Sequence, residues 1–339
     1  MLIYVLYFLS LQQLSIAVQS SSDNRNNPYD IQFWNSIAKA HIDRKLQLNK
    51  HLTREVRPKN VVLFIGDGMG IAAVTSARIN KNQKTGSLYL NEPLYFENFQ
   101  STGLVKTSSS NNHVTDSAAG ATALFTGWKG VDRNFEFDGV TTEGEFKCTH
   151  DIAKQLLHYP ASEFKVMMGG GREYLMEKSR NGLRDDGLNI DLNWQSLPGN
   201  RKVLRNILDF EEFSSASDEK LLGVFSPSHF PFYLEEHLAG VKTVPRLWEM
   251  TSKAIEHLQN GQNGYFLVVE GGMIDTAEHE NMMHMTFEEI YEFEKAIKKA
   301  REMTDMNETL IIVTADHGHA LTLPGYLHSN ETIFGRLPN

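Results

Sequence analysis

Three apolar runs in this chain each end beside an acidic residue. They are residues 61–65 before Asp67, residues 266–269 before Glu270, and residues 310–313 before Asp316. Short apolar runs of this kind are typical of buried strands. In an open α/β sheet, ligands collect beyond the carboxyl ends of the strands, so carboxylates that are far apart in sequence can converge there. The pattern predicts a metal-dependent enzyme.

Composition narrows the class of protein. The chain has 339 residues, of which 41% are hydrophobic and 22% charged, so a globular fold is expected and disordered and fibrous classes are excluded. The formal net charge is -9, and Lys and Arg are scattered rather than clustered. A nucleic-acid partner is therefore not expected.

The N-terminus carries features of a signal peptide. Residues 2–11 are apolar, small residues follow around Ala17, and residues 20–27 are polar. These features predict a signal peptide over residues 1–19 and a secreted, extracellular protein, although no basic segment precedes the apolar run. A buried N-terminal helix is the alternative. The sequons at Asn307 and Asn330 are compatible with a glycoprotein, and no later run reaches the length of a membrane span.

Residues 28–339 are predicted to form a single α/β domain. Apolar spacing predicts a helix over 33–48, a helix from about 244 to 259, and a long helix that buries Ile290, Phe293, Ile297 and Ala300. Polar, glycine-interrupted segments predict loops or surface excursions. These segments are residues 128–147, 180–200 and 214–220. Because strands and helices alternate near the C-terminus, a layered α/β architecture follows.

The first motif, Ile65-Gly-Asp-Gly-Met-Gly70, directly follows a predicted strand. A tight strand-to-helix turn and a dinucleotide site are the alternatives, but the spacing is not that of GxGxxG. Asp67 lies between two glycines that allow close approach. This placement favours a carboxylate that bridges metal ions.

In the second motif, Asp116 and Ser117 begin an alanine-rich segment that is predicted to be helical. The pair is explained by a helix cap alone. A serine at a helix N-terminus also lies where backbone N–H groups bind phosphate. Without a neighbouring histidine, Ser117 is a plausible nucleophile only if a metal lowers its pKa.

The third and fourth motifs combine acids with histidines. Asp275 and His279 are four residues apart, so on a helix they point the same way and can bind one metal. Asp316 and His317 directly follow a strand. By contrast, His257 and His284 are interpreted as structural histidines.

Together the four motifs resemble those of the alkaline phosphatase family. The resemblance covers most of the chain and includes Phe33-Trp34, Asp67, Asp116-Ser117, residues 152–157, residues 169–174 and Phe334-Gly335. It implies a large, mainly parallel sheet flanked by helices, with the C-terminal part missing. It also implies hydrolysis of a broad range of phosphate monoesters through a phosphoserine intermediate.

The resemblance also implies roles for individual residues. Ser117 would be the nucleophile and a metal contact. The implied metal ligands are Asp67 between Mg²⁺ and one Zn²⁺, Asp316 and His317 on that zinc, Asp275 and His279 on the second zinc, and Glu270 on Mg²⁺. His319 matches a position behind the ligands. A homodimer is implied as well.

Some features of the family pattern are missing from this sequence. Between residues 128 and 147 we find neither the phosphate-binding arginine nor the third magnesium ligand, and the cysteine that would pair with Cys148 belongs to the same stretch. The chain stops at Asn339, before the family motif that supplies a third ligand to the second zinc and before any hydrophobic anchor tail. We therefore expect two zinc sites, one lacking a protein ligand, an incomplete magnesium site and no membrane anchor in this chain. Ser226-Pro227 replaces a Glu-Pro of vertebrate relatives, so no calcium site is expected.

Two other functions are compatible with the sequence. One is a secreted, non-catalytic or impaired relative that acts as a binding protein, which the missing ligands favour and the retained Ser117 does not. The other is a sulfatase or phosphodiesterase of the same superfamily, against which the Asp-Ser pair and the lack of a Cys/Ser-x-Pro-x-Arg motif argue. An active full-length parent would be secreted or held at the cell surface.

Overall fold

The computed structural model describes residues 31–48, 57–86, 92–99, 101–131, 152–323, 325 and 331–334. These residues group into two compact units. The first lies within Pro58–Val105 and Phe164–Asn339, and the second within Ile3–Arg57 and Lys106–Glu163. The predicted signal peptide, Cys148, Asn330 and most of the 128–147 loop lie outside the described residues. The predicted single domain over 28–339 stays a prediction.

All strands among the described residues belong to the first unit and pair in parallel. They form two three-stranded sheets, in the orders β5-β1-β6 and β2-β4-β3. The strands are β1 (Asn60–Gly66), β2 (Val166–Gly169), β3 (Arg201–Leu204), β4 (Lys220–Val224), β5 (Phe266–Gly271) and β6 (Thr309–Ala315). The predicted α/β fold with parallel strands is confirmed, although the described strands form two small sheets and not one large sheet.

Helices occur in both units. In chain order the α-helices of the described residues are α1 (Ile31–Leu48), α2 (Ile71–Lys84), α3 (Ser117–Thr126), α4 (Ile152–Gln155), α5 (Ile190–Gln195), α6 (Ile207–Glu212), α7 (Tyr233–Ala239), α8 (Leu247–Leu258), α9 (Met273–His279) and α10 (Met283–Met303). Helices α1, α3 and α4 belong to the second unit. The predicted helices over 33–48 and 244–259 correspond to α1 and α8. None of the described helices is both long and apolar enough to cross a bilayer.

Helix α10 provides much of the core beneath the first sheet. The four residues predicted for its buried face, Ile290, Phe293, Ile297 and Ala300, are all 0% exposed. The ring of Phe293 meets that of Phe64 on β1 edge to face, with centroids 5.8 Å apart. Side chains three and four residues apart share one helix face, so the spacing in the sequence was sufficient to predict this contact surface.

The second sheet has a smaller core of its own. Leu204 on β3, Leu221 on β4 and Phe210 on α6 are buried together with Phe225. Phe210 and Phe225 pack edge to face at 5.6 Å. The strands β2, β3 and β4 have only four or five residues each, which explains why the sequence analysis did not identify them.

The prediction that residues 180–200 form a surface excursion is wrong for their central part. Helix α5 buries Trp194 and Asp191 completely. Arg180 and Arg205 each form an ion pair of 2.9 Å with Asp191. Burial acts to raise the pKa of Asp191, but the hydrogen bonds from the two guanidinium groups outweigh it, so the pKa is lowered. Arg180, Asp191 and Arg205 thus form an ionic triad around a buried aspartate.

A buried histidine forms hydrogen bonds with the polar segment 214–220. His257 on α8 is buried, and its ring nitrogens lie 3.0 Å from the carbonyl oxygen of Ser215 and 2.7 Å from that of Glu219. The structural interpretation of His257 is confirmed. His284 likewise stacks on Phe334, with ring centroids 3.8 Å apart.

We expect Phe293→Ala to lower the free energy of unfolding by about 3–5 kcal/mol, because the fully buried ring leaves a cavity against Phe64. The matched control is Phe266→Ala on β5, whose side chain is 56% exposed and should cost about 1 kcal/mol or less. Urea unfolding followed by tryptophan fluorescence measures both. Equal losses would contradict this account of the core.

Candidate metal centre

The register of the first sheet brings the predicted acids to one edge. Ile65 on β1 pairs with Glu270 on β5 and with Thr314 on β6, and Gly66 pairs with Ala315. Asp67 and Asp316 each follow the last residue of their strand and are therefore level with each other. Since the three strands run parallel, the three carboxylates converge at the carboxyl end of the sheet, as the sequence predicts.

Two glycines let the turn after β1 approach the turn after β6. Gly68 has a φ of +69°, a conformation that few other residues adopt, and its N–H donates to Asp316 Oδ1 at 3.2 Å. A Cβ on Gly70 would lie 2.9 Å from the Cα of Gly318, so only glycine fits there. The N–H of His317 donates to the same Asp316 oxygen at 2.8 Å. These contacts fix Asp67 beside His317.

His317 lies among three carboxylates. Its Nε2 is 3.3 Å from Asp67 Oδ1, 3.6 Å from Asp316 Oδ2 and 4.0 Å from Asp275 Oδ1. Its Nδ1 lies 2.9 Å from the carbonyl oxygen of Gly318, which orients the ring. Asp67, Asp275 and His317 each offer one ligand atom, and these atoms lie within 4.8 Å of one another. This geometry suits a shared cation.

A second group of donors adjoins the first through Asp275. The predicted helix around Asp275 and His279 is α9, and the two side chains lie 3.3 Å apart on one face. His319 Nε2 is 3.7 Å from Asp275 Oδ1, and its ring packs edge to face on that of His279 at 4.6 Å. Ligand atoms of Asp275, His279 and His319 lie within 4.8 Å of one another. His319 is thus closer to the centre than its place in the motif implied.

The acids raise the pKa values of one another. Burial, followed by the charges of Asp316, Glu270 and Asp275, raises the pKa of Asp67 well above its ordinary value of 3.8. Burial, with the charges of Asp316 and Asp275, raises the pKa of Glu270 to about 8. Burial also raises that of Asp316, although His317 opposes the shift. A divalent cation would remove this repulsion.

Three carboxylate oxygens in this region have no hydrogen-bond partner among the described residues. They are Asp275 Oδ1 and both oxygens of Glu278, all shielded from solvent. Burial and the charge of Asp275 raise the pKa of Glu278 to about 8. Unpartnered buried carboxylates are costly unless they pair with a cation or coordinate a metal. The residues present therefore fit divalent metal ions.

Glu278 is a component of this region that the sequence analysis missed. It follows Asp275 by three residues, and on α9 that spacing turns both carboxylates to neighbouring positions. The available signal was therefore the helical spacing alone. Glutamate at such a position is more often a solvated surface residue, so the spacing was insufficient.

Ser117 lies in the second unit, at the first position of α3. Asp116 is the residue before the helix, and its carboxylate accepts a hydrogen bond from the N–H of Ala119 at 2.8 Å. The cap interpretation of this pair is confirmed for Asp116. Lys129 donates to Ser108 Oγ at 2.6 Å, and the N–H of Ser110 donates to the carbonyl oxygen of Gly130 at 2.9 Å. These bonds connect the two loops that flank α3.

A pocket opens beside Glu270, lined also by Tyr233, Arg246, Glu289 and Glu292. Glu289 accepts a hydrogen bond from the N–H of Tyr233 at 2.7 Å. Burial is the main cause that raises the pKa of Glu289 to about 7. Burial also raises the pKa of Glu292, which Lys295 and Arg246 oppose. The pocket is therefore acidic and poorly solvated.

Parallel sheets with buried carboxylates and histidines at their carboxyl ends are typical of metal-dependent α/β enzymes. A family model described as alkaline phosphatase matches residues 58–139 and 129–339. The chain belongs to the alkaline phosphatase family.

Named relatives are similar over most of the chain. A membrane-bound alkaline phosphatase of Bombyx mori is 29% identical over 401 residues, which cover 96% of this chain and 72% of the relative. An alkaline phosphatase of Gadus morhua is 30% identical over 375 residues, which cover 89% of this chain and 77% of the relative. Family membership thus extends through both compact units.

Solved structures share the fold. The alkaline phosphatase of Thermus thermophilus matches with a TM-score of 0.66 at 24% identity, over 83% of this chain and 66% of that one. A mutant TAB5 alkaline phosphatase with Mg bound in its M3 site matches with a TM-score of 0.54 at 22% identity, over 78% of this chain and 80% of that one. At these identities the likeness establishes the α/β fold alone.

We expect Gly70→Ala to separate the two turns of the metal centre, because its Cβ would meet the backbone of Gly318. The free energy of unfolding should fall by about 1–3 kcal/mol, and zinc affinity should fall at least about tenfold. Gly103→Ala is the matched control, since nothing lies within 4 Å of its Cβ, and should change stability by no more than about 0.5 kcal/mol. Similar effects in the two variants would refute the close contact.

Burial of Glu289 should make stability depend on pH. In the unfolded chain its carboxyl titrates near 4.5, whereas in the folded protein the pKa is about 7. The folded state therefore binds the proton more tightly, and the free energy of unfolding falls as pH rises through this window. Glu289→Gln should remove roughly 2 kcal/mol of this loss between pH 5 and 8. Urea unfolding in a chelator, beside the exposed control Glu235→Gln, measures it, and parallel curves for all three proteins would contradict it.

Proposed function

We propose that this chain hydrolyses phosphate monoesters through a phosphoserine on Ser117. Membership of the alkaline phosphatase family supports the reaction class. The observation that carries the proposal is the cluster of Asp67, Asp275, Asp316 and His317 at the carboxyl edge of the first sheet, with atoms within 4.0 Å of His317 Nε2. Such a cluster is costly in a protein that does not bind cations.

The donor set fits the cations that the resemblance implies. Imidazole and carboxylate ligands suit Zn²⁺, and carboxylates suit Mg²⁺. We assign Asp67, Asp275, His279, Asp316 and His317 to zinc, and Asp67 and Glu270 to magnesium. When bound, such cations lower the pKa of a hydroxyl or of water and neutralise charge on phosphate oxygens.

The placement of Ser117 supports its role as the nucleophile. The first turn of α3 presents backbone N–H groups, and the positive end of the helix dipole favours both a phosphate and a serine alkoxide. Asp116 accepts from the N–H of Ala119. The helix end can thus hold the phosphoryl group while Ser117 reacts.

The proposed reaction has two displacements. Ser117 Oγ forms a bond to phosphorus as the bond to the leaving alcohol breaks, and the alcohol departs with a proton. Water then forms a bond to phosphorus as the Ser117 Oγ–P bond breaks, and inorganic phosphate leaves. Each displacement inverts the configuration at phosphorus, so the two together retain it. Because recognition is confined to the phosphoryl group, a broad range of monoesters is expected.

We also propose that the protein acts outside the cell. The predicted signal peptide over residues 1–19 supports this location, and Asn307, the predicted sequon residue within the described part of the chain, is exposed. The Bombyx relative is named as membrane-bound. A homodimer stays a prediction from the family resemblance.

Ser117→Ala should abolish hydrolysis of an aryl phosphate at alkaline pH with added zinc and magnesium. Loss of an attacking side chain lowers the rate by about three orders of magnitude or more. Acid quenching with labelled substrate should trap label on the wild-type protein and none on the variant. Chelation should remove activity from the wild type.

The matched control is Ser252→Ala, a helical serine that donates to the carbonyl oxygen of Trp248 in α8. It should retain the wild-type rate. A folded, zinc-loaded wild type without hydrolysis or trapped label would overturn the proposal and favour a non-catalytic binding protein.

A further inference from the structure

Glu278 is a buried carboxylate that the proposed reaction does not use. Its residue is 8% exposed, and both of its oxygens are shielded from solvent without a hydrogen-bond donor among the described residues. An unpaired buried carboxylate is strongly unfavourable. Its presence requires a compensating interaction.

Three other buried glutamates among the described residues each have a protein cation. Arg246 lies 2.7 Å from Glu236, Lys81 lies 2.5 Å from Glu294, and Lys295 lies 3.7 Å from Glu292. Within the same described residues, Glu278 has no such ion pair. Glu278 therefore differs from these three buried glutamates, each of which has a positive side chain beside it.

The position of Glu278 shows where a compensating positive charge would lie. A Cβ placed on Gly68 would be 2.6 Å from Glu278 Oε2 and 3.1 Å from Asp275 Oδ1. The two carboxylates therefore approach the same face of Gly68, directly after Asp67. Asp275 Oδ1 also has no hydrogen-bond partner among the described residues. Three unpartnered carboxylate oxygens thus lie on one side of the metal centre.

We propose that Glu278 is an additional ligand of a divalent cation bound by Asp275. The inference rests on the proposed metal centre and extends its ligand set. A second carboxylate would give that cation two negative ligands, Asp275 and Glu278, which together balance a charge of +2. Helical spacing on α9 places Glu278 beside Asp275, so both carboxylates can reach one ion near Gly68.

The experiment compares metal binding of the full chain and three variants. Zinc affinity is measured by competition with a chromophoric chelator, and metal content by elemental analysis. Glu278→Gln keeps the size of the side chain and removes its charge, and Glu278→Asp keeps the charge on a shorter stem. Glu280→Gln is the matched control, because Glu280 is an exposed glutamate two residues away. All four proteins are also tested for aryl phosphate hydrolysis.

Glu278→Gln should weaken binding of one zinc ion by at least about 10 to 100-fold. Glu278→Asp should recover part of that affinity, and Glu280→Gln should match the wild type. Melting temperatures give a second readout. In chelator, Glu278→Gln should melt at or above the wild type because the buried carboxyl group without a partner is gone, while its stabilisation by zinc should be smaller.

A lower melting temperature in chelator together with unchanged zinc affinity would show that Glu278 has a structural role, and would overturn the inference. Wild-type affinity and wild-type zinc stabilisation in Glu278→Gln would overturn it as well. In both cases an active, zinc-binding wild type leaves the proposed function intact. A folded wild type that neither binds zinc nor hydrolyses the ester would overturn both.

Discussion

The parallel register of β1 with β5 and β6 is the constraint on which the metal centre depends. Pairing of Gly66 with Gly271 and Ala315 ends the three strands at one level. Asp67 and Asp316 can then lie against each other although they are far apart in sequence. A slip of one residue would turn the side chain of Glu270 to the opposite face of the sheet. The buried face of α10, packed on β1 through Phe293 and Phe64, stabilises this register.

The fold treats buried acids in two different ways, and the contrast supports a metal centre. Asp191 is fully buried, and two arginines lower its pKa. Asp67 is also buried at 4% exposure, but its pKa is raised because its neighbours are further carboxylates. A bound cation would compensate Asp67 as the guanidinium groups compensate Asp191. Protein side chains therefore neutralise the buried Asp191, whereas the carboxylates at the strand ends repel one another.

Features with a strong local signal could be predicted from the sequence. Apolar runs predicted β1, β5 and β6, and helical spacing predicted α10. The convergence of Asp67, Glu270 and Asp316 followed from the three strands. The second sheet was missed because its strands are short, and their pairing depends on contacts distant in sequence. The burial of Trp194 was missed because the charged residues around α5 are typical of a surface segment. Glu278 was missed because its helical spacing from Asp275 does not reveal that it packs beside Gly68.

The cap and nucleophile interpretations of the Asp116-Ser117 pair do not exclude each other. The structure gives the capping bond to Asp116, whose carboxylate accepts from the N–H of Ala119. Ser117 is then the first residue within α3, a position at which a cap does not require serine. Within a helix interior alanine is preferred to serine, and the next two residues are alanines, so interior helix propensity does not select Ser117. A hydroxyl at the positive end of the helix is the group that the proposed phosphoserine reaction requires.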